Sequence, residues 1–266
     1  MTNFHPAISA AAHHEIQQRL LRAEQEHRVK ILYAIESGSR AWGFHSPDSD
    51  YDVRFVYIRP QDWYLSIDVE DRRDVIEYPI VDEIDINGWD LRKALRLQAK
   101  SNPAIVEWLN SPIVYREQGR YAVQARQLLA QHYNKARGFY HYRSTASSNF
   151  QQFLQGEQVK LKKYLYVLRP LLAVRWIEQF GGVAPIEFER LRQALNDTPV
   201  QQAIDALLLQ KRQHGEAEAQ PAIPVLQQWI KAELERLQQV MPAQDMEPVA
   251  LARLNQLFSQ LLYAQE

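Results

Sequence analysis

The stretch Ile35-Glu36-Ser37-Gly38-Ser39-Arg40-Ala41-Trp42-Gly43-Phe44-His45-Ser46-Pro47-Asp48-Ser49-Asp50-Tyr51-Asp52-Val53-Arg54-Phe55 decides how this chain reads. An apolar run ends in Gly38-Ser39, ten residues intervene, and a second apolar run opens with Asp50-Tyr51-Asp52. Side chains two apart on a strand leave the same face, so Asp50 and Asp52 are expected side by side. Two crowded carboxylates repel unless a cation lies between them, and an all-oxygen donor set suits Mg²⁺. Gly-Ser at a strand end, leading into a helix start, offers backbone N–H groups to an anion. A phosphate cradle beside a carboxylate pair points to metal-assisted phosphoryl or nucleotidyl transfer. Asp50 and Asp52 occupy alternate positions beside Val53, Phe55 and Tyr57. One strand face is therefore expected to begin with carboxylates and to continue apolar or aromatic.

Outward from this stretch the pattern alternates helix and strand. Ser9 to about Arg28 reads as a helix with Ser9 as its cap, and Val29 to Ile35 as a buried strand. Ser39 to Phe44 reads as one helical turn, and Tyr51 to Ile58 as the second strand. Asp74 to Pro79 and Glu83 to Ile86 are expected as further strands, followed by a helix over Trp89–Lys100. Asn102-Pro103 caps the next helix, and Pro112 to Tyr115 is extended. Beyond about Gly119 strand signals vanish and long helical patterns follow. The organisation expected is an α+β chain, with an α/β half over residues 1–118 carrying the motif and an all-helical half over 119–266.

Bulk properties narrow the chemistry. Hydrophobic residues make up 46% of the 266, enough for a real core, and 11% aromatics argue against disorder. The formal charge of −1 gives no global basic field, so any nucleic-acid site must be a local patch. The absence of cysteine excludes disulfides, thiolate metal sites and thiol nucleophiles. No segment approaches the ~20 apolar residues of a membrane span, and Met1 to Pro6 has no signal-peptide character. The expectation is a soluble, cytoplasmic protein with no membrane partner.

Gly38-Ser39, ten residues, then Asp50-Tyr51-Asp52 resembles the signature of the DNA polymerase β-type nucleotidyltransferase superfamily. Gly38-Ser39-Arg40-Ala41-Trp42-Gly43-Phe44, Gly88-Trp89-Asp90-Leu91, Ser101-Asn102-Pro103, Glu107-Trp108-Leu109-Asn110-Ser111-Pro112 and Lys160 to Pro170 are similar to its RNA-ligase-associated, RlaP-type branch. The likeness covers roughly residues 30 to 190. It implies a nucleotidyltransferase-fold mixed sheet with flanking helices, then a helical domain that closes the active-site cleft. It further implies two Mg²⁺ ions on Asp50 and Asp52, and phosphate held by Gly38 and Ser39. An NTP, with ATP the expected one, would be the substrate. An RNA end would be the acceptor, with an RNA ligase in the same pathway.

Two-metal nucleotidyl transfer wants a third acid on a neighbouring strand. The candidates lie in the stretch Val81–Asn87, where alternation places Glu83 and Asp85 on one face, and the family pattern points to Asp85 as the third catalytic and metal-binding acid. Asp90 reads instead as a first-turn helix acid. On the basic helix starting near Lys160, Leu161, Leu165, Leu168 and Leu172 form a core stripe. The flank carrying Lys162 and Lys163 is either a solvated face or, as the resemblance favours, a triphosphate clamp. Arg40 either touches phosphate or pairs locally. Arg92, Arg96 and Lys100 line one helix face, a second basic cluster. Other functional classes open to this sequence are an AMP-transferring, antitoxin-like modifier of a protein partner and a non-catalytic NTP- or RNA-binding module.

Overall fold

Turn chemistry and alternation build the first part of the chain. In a computed structural model, which describes residues 5–213, 219–242 and 251–264, helix α1 (Ala10–His27) opens at Ser9, whose hydroxyl accepts the Ala12 N–H at 3.1 Å. There follow β1 (Lys30–Glu36), a short α2 (Gly38–Trp42), β2 (Tyr51–Ile58), α3 (Gln61–Tyr64), β3 (Val75–Glu77) and β4 (Ile84–Asp90). Next come α4 (Leu91–Ala99), α5 (Pro103–Leu109), capped by the Asn102 side chain, β5 (Val114–Glu117) and α6 (Tyr121–His132). The strands form one mixed sheet in the order β3-β4-β2-β1-β5, with β2 and β4 parallel and the other neighbours antiparallel.

Period 2 divides the sheet's faces. Val53, Phe55, Ile84 and Ile86 pack with Ile16, Leu20 and Ala23 of α1, each large apolar side chain stabilising by roughly 1.5–3 kcal/mol. Asp52, Arg54, Asp85 and Asn87 therefore leave the opposite face, on which α4 packs against β2 and β4, and α6 against β1. Arg54 follows the carboxylates there, and the buried apolar residues Val56 and Ile58 come only after it, so the face turns apolar one alternate position later than expected.

Strand β4 is longer than its alternation suggests. Its pairing with β2 runs from Tyr51↔Ile84 to Tyr57↔Asp90. Trp89 is thus a strand residue, stacked on Trp108 at 3.9 Å, and the helix begins only at Leu91, with Asp90 accepting the Arg92 N–H at 2.8 Å. Gly88 allows this, because a Cβ there would lie 2.1 Å from the Phe55 ring. Asp82 and Glu83 form a turn with φ of 52° and 62°, so the alternation starts after them.

The remaining elements are α7 (Lys135–Phe153), β6 (Gln158–Lys160), α8 (Leu161–Phe180), α9 (Phe188–Leu191), α10 (Thr198–Gln213), β7 (Ala219–Pro221), α11 (Pro224–Gln238) and α12 (Leu251–Tyr263). Leu161, Leu165, Leu168 and Leu172 of α8 are all buried, in a cluster with Phe139, Phe150, Leu226 and Ile230. The β6–β7 ribbon departs from the all-helical expectation: three-residue strands are too short to show a period.

Two compact units result. Among the described residues the first holds 5–41, 50–132 and 251–264, and the second 42–49, 133–213 and 219–242. The division thus falls after His132 rather than near 118. Helix α6 packs on β1 and α5, and α12 on α4 and α6, so both group with the sheet. Among the described residues no helix is long and apolar enough to cross a membrane.

Candidate active site

The two strands that run parallel bring two acids face to face. Asp52, second in β2, is paired in register with Asp85, second in β4. Their side chains are 29% and 21% exposed. Burial pushes the Asp52 carboxyl above its ordinary range; the Arg54 charge opposes this, and the charges of Asp85 and Asp50 add to it. Asp50, just before β2, is exposed. Gly38 lies against this group, with φ of +62°, and a Cβ there would fall 1.9 Å from Asp52 Oδ2. Only glycine fits both the left-handed backbone and that approach.

Arg54 and Asn87 complete the group, and sequence reasoning missed both. Arg54 Nη2 donates to Asp85 Oδ2 at 2.7 Å and to Asp52 Oδ1 at 3.3 Å, while Asn87 Nδ2 donates to Asp85 Oδ1 at 2.6 Å. The signal that finds them is their spacing: each follows its acid by two positions. Glu36 was missed as well. It is fully buried at the end of β1, accepts the Asp52 N–H at 2.9 Å and the Tyr115 hydroxyl at 2.5 Å, and burial pushes its carboxyl up to about 7. It fixes the backbone beneath Asp52, and Ser37 N–H closes on Asp52 O at 2.8 Å.

The other expected residues fall as follows. Ser39 is buried in the first turn of α2, beside Gly38. Arg40 is 6% exposed, donates to the carbonyls of Asp50 at 3.1 Å and Ala7 at 2.8 Å, and stacks 3.8 Å from the Tyr51 ring. That makes Arg40 a local clamp on the segment carrying Asp50. Glu83 sits in the turn before β4, where its carbonyl accepts the Tyr51 N–H; alternation brings Asp85, not Glu83, to Asp52. Lys162 and Lys163 lie half-buried near the start of α8 in the second unit, with Lys163 Nζ 3.6 Å from the Phe153 ring centre. On α4, Arg92 pairs with Glu70 and Arg96 is exposed, as is Lys100, which caps the helix C-terminus.

The donor chemistry of Asp50, Asp52 and Asp85 fits Mg²⁺, which takes carboxylate oxygens, and their mutual repulsion favours a cation. Among the described residues, however, no three His, Asp or Glu side chains gather closely enough to hold a metal ion by themselves. Arg54 supplies the positive charge between Asp52 and Asp85 in this arrangement.

Comparison with known proteins gives the family. The model of RlaP, the RNA repair pathway DNA polymerase beta family, matches residues 12–260. The chain belongs to this family. It is therefore a polymerase β-type nucleotidyltransferase. A curated relative, the uncharacterized protein YcgL of Bacillus subtilis (strain 168), is 49% identical over 223 residues, covering 84% of this chain and 85% of that protein. A crystal structure of a nucleotidyltransferase-like protein from Exiguobacterium sibiricum 255-15 aligns over 92% of this chain and 88% of its own, at 16% identity and a TM-score of 0.30. That likeness is too loose to bear on the site.

Proposed function

We propose that this RlaP-family chain transfers a nucleoside monophosphate from an NTP, with ATP the expected one, to a hydroxyl of an RNA end. The acceptor oxygen forms a bond to the α-phosphorus, the bond to the bridging oxygen breaks, pyrophosphate leaves, and the hydroxyl proton is given up. The observation that carries this is the register of Asp52 with Asp85 beside the Gly38 backbone. Mg²⁺ held by Asp50, Asp52 and Asp85, as two ions, would supply Lewis-acid stabilisation of the phosphate charge. Asp85, held through Oδ1 by Asn87, would orient the attacking hydroxyl and accept its proton. Ser39 and the backbone at Gly38 are suited to phosphate oxygens. Lys162 and Lys163 are assigned to the triphosphate on the family resemblance alone.

The test is Mg²⁺-dependent pyrophosphate release from each NTP with labelled RNA ends as acceptor. The Asp50→Asn, Asp52→Asn double variant should lose about a thousandfold in rate, the equivalent of about 4 kcal/mol; release at the wild-type rate overturns the mechanism. RNA as the acceptor also predicts salt-sensitive binding, with a log–log slope near −0.7 per phosphate contact. Replacing Arg92, Arg96 and Lys100 with Gln should flatten that slope by about 2. RNA affinity indifferent to salt and to these changes shifts the acceptor to a protein or small molecule.

A further inference from the structure

Arg54 is a positive charge that the carboxylate face already contains. It is 17% exposed and held at four points. Nη1 donates to the carbonyls of Val53 and Asp85, both at 2.9 Å, which fixes the guanidinium plane against the main chain. Nη2 then projects between the carboxylates, 2.7 Å from Asp85 Oδ2 and 3.3 Å from Asp52 Oδ1. A guanidinium presents several donors in a rigid fork, so one end can be anchored while the other neutralises. Two acids in register on parallel strands would otherwise repel, and Asn87, a neutral donor to Asp85, cannot relieve that repulsion. The space between the acids is thus occupied by a cation made of the chain itself.

Resting on the metal-dependent reading above, we propose that Arg54 is a resident counter-ion that a divalent cation must displace from Asp52 and Asp85. The arginine keeps the two carboxylates assembled before the ion arrives, and it sets how tightly the ion binds. This role is distinguishable from a merely structural one by sign. Loss of a structural arginine would loosen the acids and weaken ion binding. Loss of a competing cation removes both the occupant of the space and its repulsion, which for a divalent ion about 5 Å away in a water-like dielectric amounts to about tenfold in affinity.

The experiment is Mn²⁺ binding to the full chain without nucleotide, read from the electron paramagnetic resonance of the free ion. Wild type should bind, Arg54→Gln should bind about tenfold tighter, and Asp52→Asn should abolish binding in either background. Binding by Arg54→Gln alone supports the proposal in its strongest form. Equal or weaker binding by Arg54→Gln, with wild-type binding intact, overturns the proposal and leaves the metal reading standing. No binding by either protein overturns both. Should Arg54→Gln fail to fold, the wild-type chain gives its own answer. The guanidinium ¹⁵N resonances of Arg54 should shift when Mg²⁺ saturates the protein. Resonances that stay in place at saturation overturn displacement.

Discussion

Glu233 in the second unit and Asp52 in the first both sit against arginine, yet their carboxyls move in opposite directions. Glu233 is 3% exposed, and burial would raise it. Arg175 donates to both of its oxygens, at 2.8 and 2.7 Å, and Arg236 adds bonds at 2.8 and 3.1 Å, so the carboxyl is held below its ordinary range. Arg236 reaches Glu178 as well, at 2.6 Å. In the first unit the ratio is reversed: one arginine serves Asp52 and Asp85, Asp50 adds a further negative charge, and Asp52 is held above its ordinary range. The chemistry of the contacts is the same. What differs is the charge balance: a buried acid with two cations is a finished piece of scaffold, whereas two half-exposed acids sharing one cation form a site with a deficit of positive charge.

The sharpest way to break this contrast is Asp85→Asn. Transfer should fall about a thousandfold, while the thermal midpoint changes little or rises, because a like charge beside Asp52 is gone. A loss of stability as large as that of a scaffold ion pair would show that the acid face is structural. Glu233→Ala is the complement. It removes the buried partner of Arg175 and Arg236, both partly exposed, and should cost about 1–3 kcal/mol of unfolding free energy, seen in the denaturant midpoint, with transfer per folded molecule unchanged.

A smaller effect separates the two units by pH. Burial pushes Asp90, the cap of α4, up to about 6, against the hydrogen bonds from Tyr64 and the Arg92 N–H. The folded state then binds the proton more tightly than the unfolded chain, so this contribution is fully present below pH 3.8 and is lost as pH rises through about 6. Glu233 has the opposite sign: its contribution is present above pH 4.5 and is lost as pH falls through its lowered folded value. Asp90→Asn should therefore lose less stability than wild type between pH 4 and pH 7, measured as the difference in thermal midpoint across that window. Parallel curves for the two proteins would refute the assignment.

Which parts were legible in the sequence follows from the range of the forces involved. The Ser9 cap, the Asn102-Pro103 helix start and the strand Tyr51–Ile58 have causes within a few residues, and each stands where its local pattern puts it. Arg54 was legible in principle, two positions past Asp52, but the apolar parity of Val53, Phe55 and Tyr57 drew attention to the wrong face. Glu36 was not legible: a lone acid closing an apolar run gives no sign that Tyr115, 79 positions on, will bond to it.

Local sequence thus determined the Ser9 cap, the Asn102-Pro103 helix start and the strand over Tyr51–Ile58, because alternation and turn propensity act over a few residues. Only the tertiary structure decided the rest. The turn at Asp82 and Glu83 sets the register that brings Asp85 rather than Glu83 to Asp52. The parallel pairing carries β4 through Trp89, and packing on β1 and α4 returns α6 and α12 to the sheet. These outcomes depend on which strand lies beside which, and that is settled by burial summed over residues far apart in the chain, a quantity no local pattern contains.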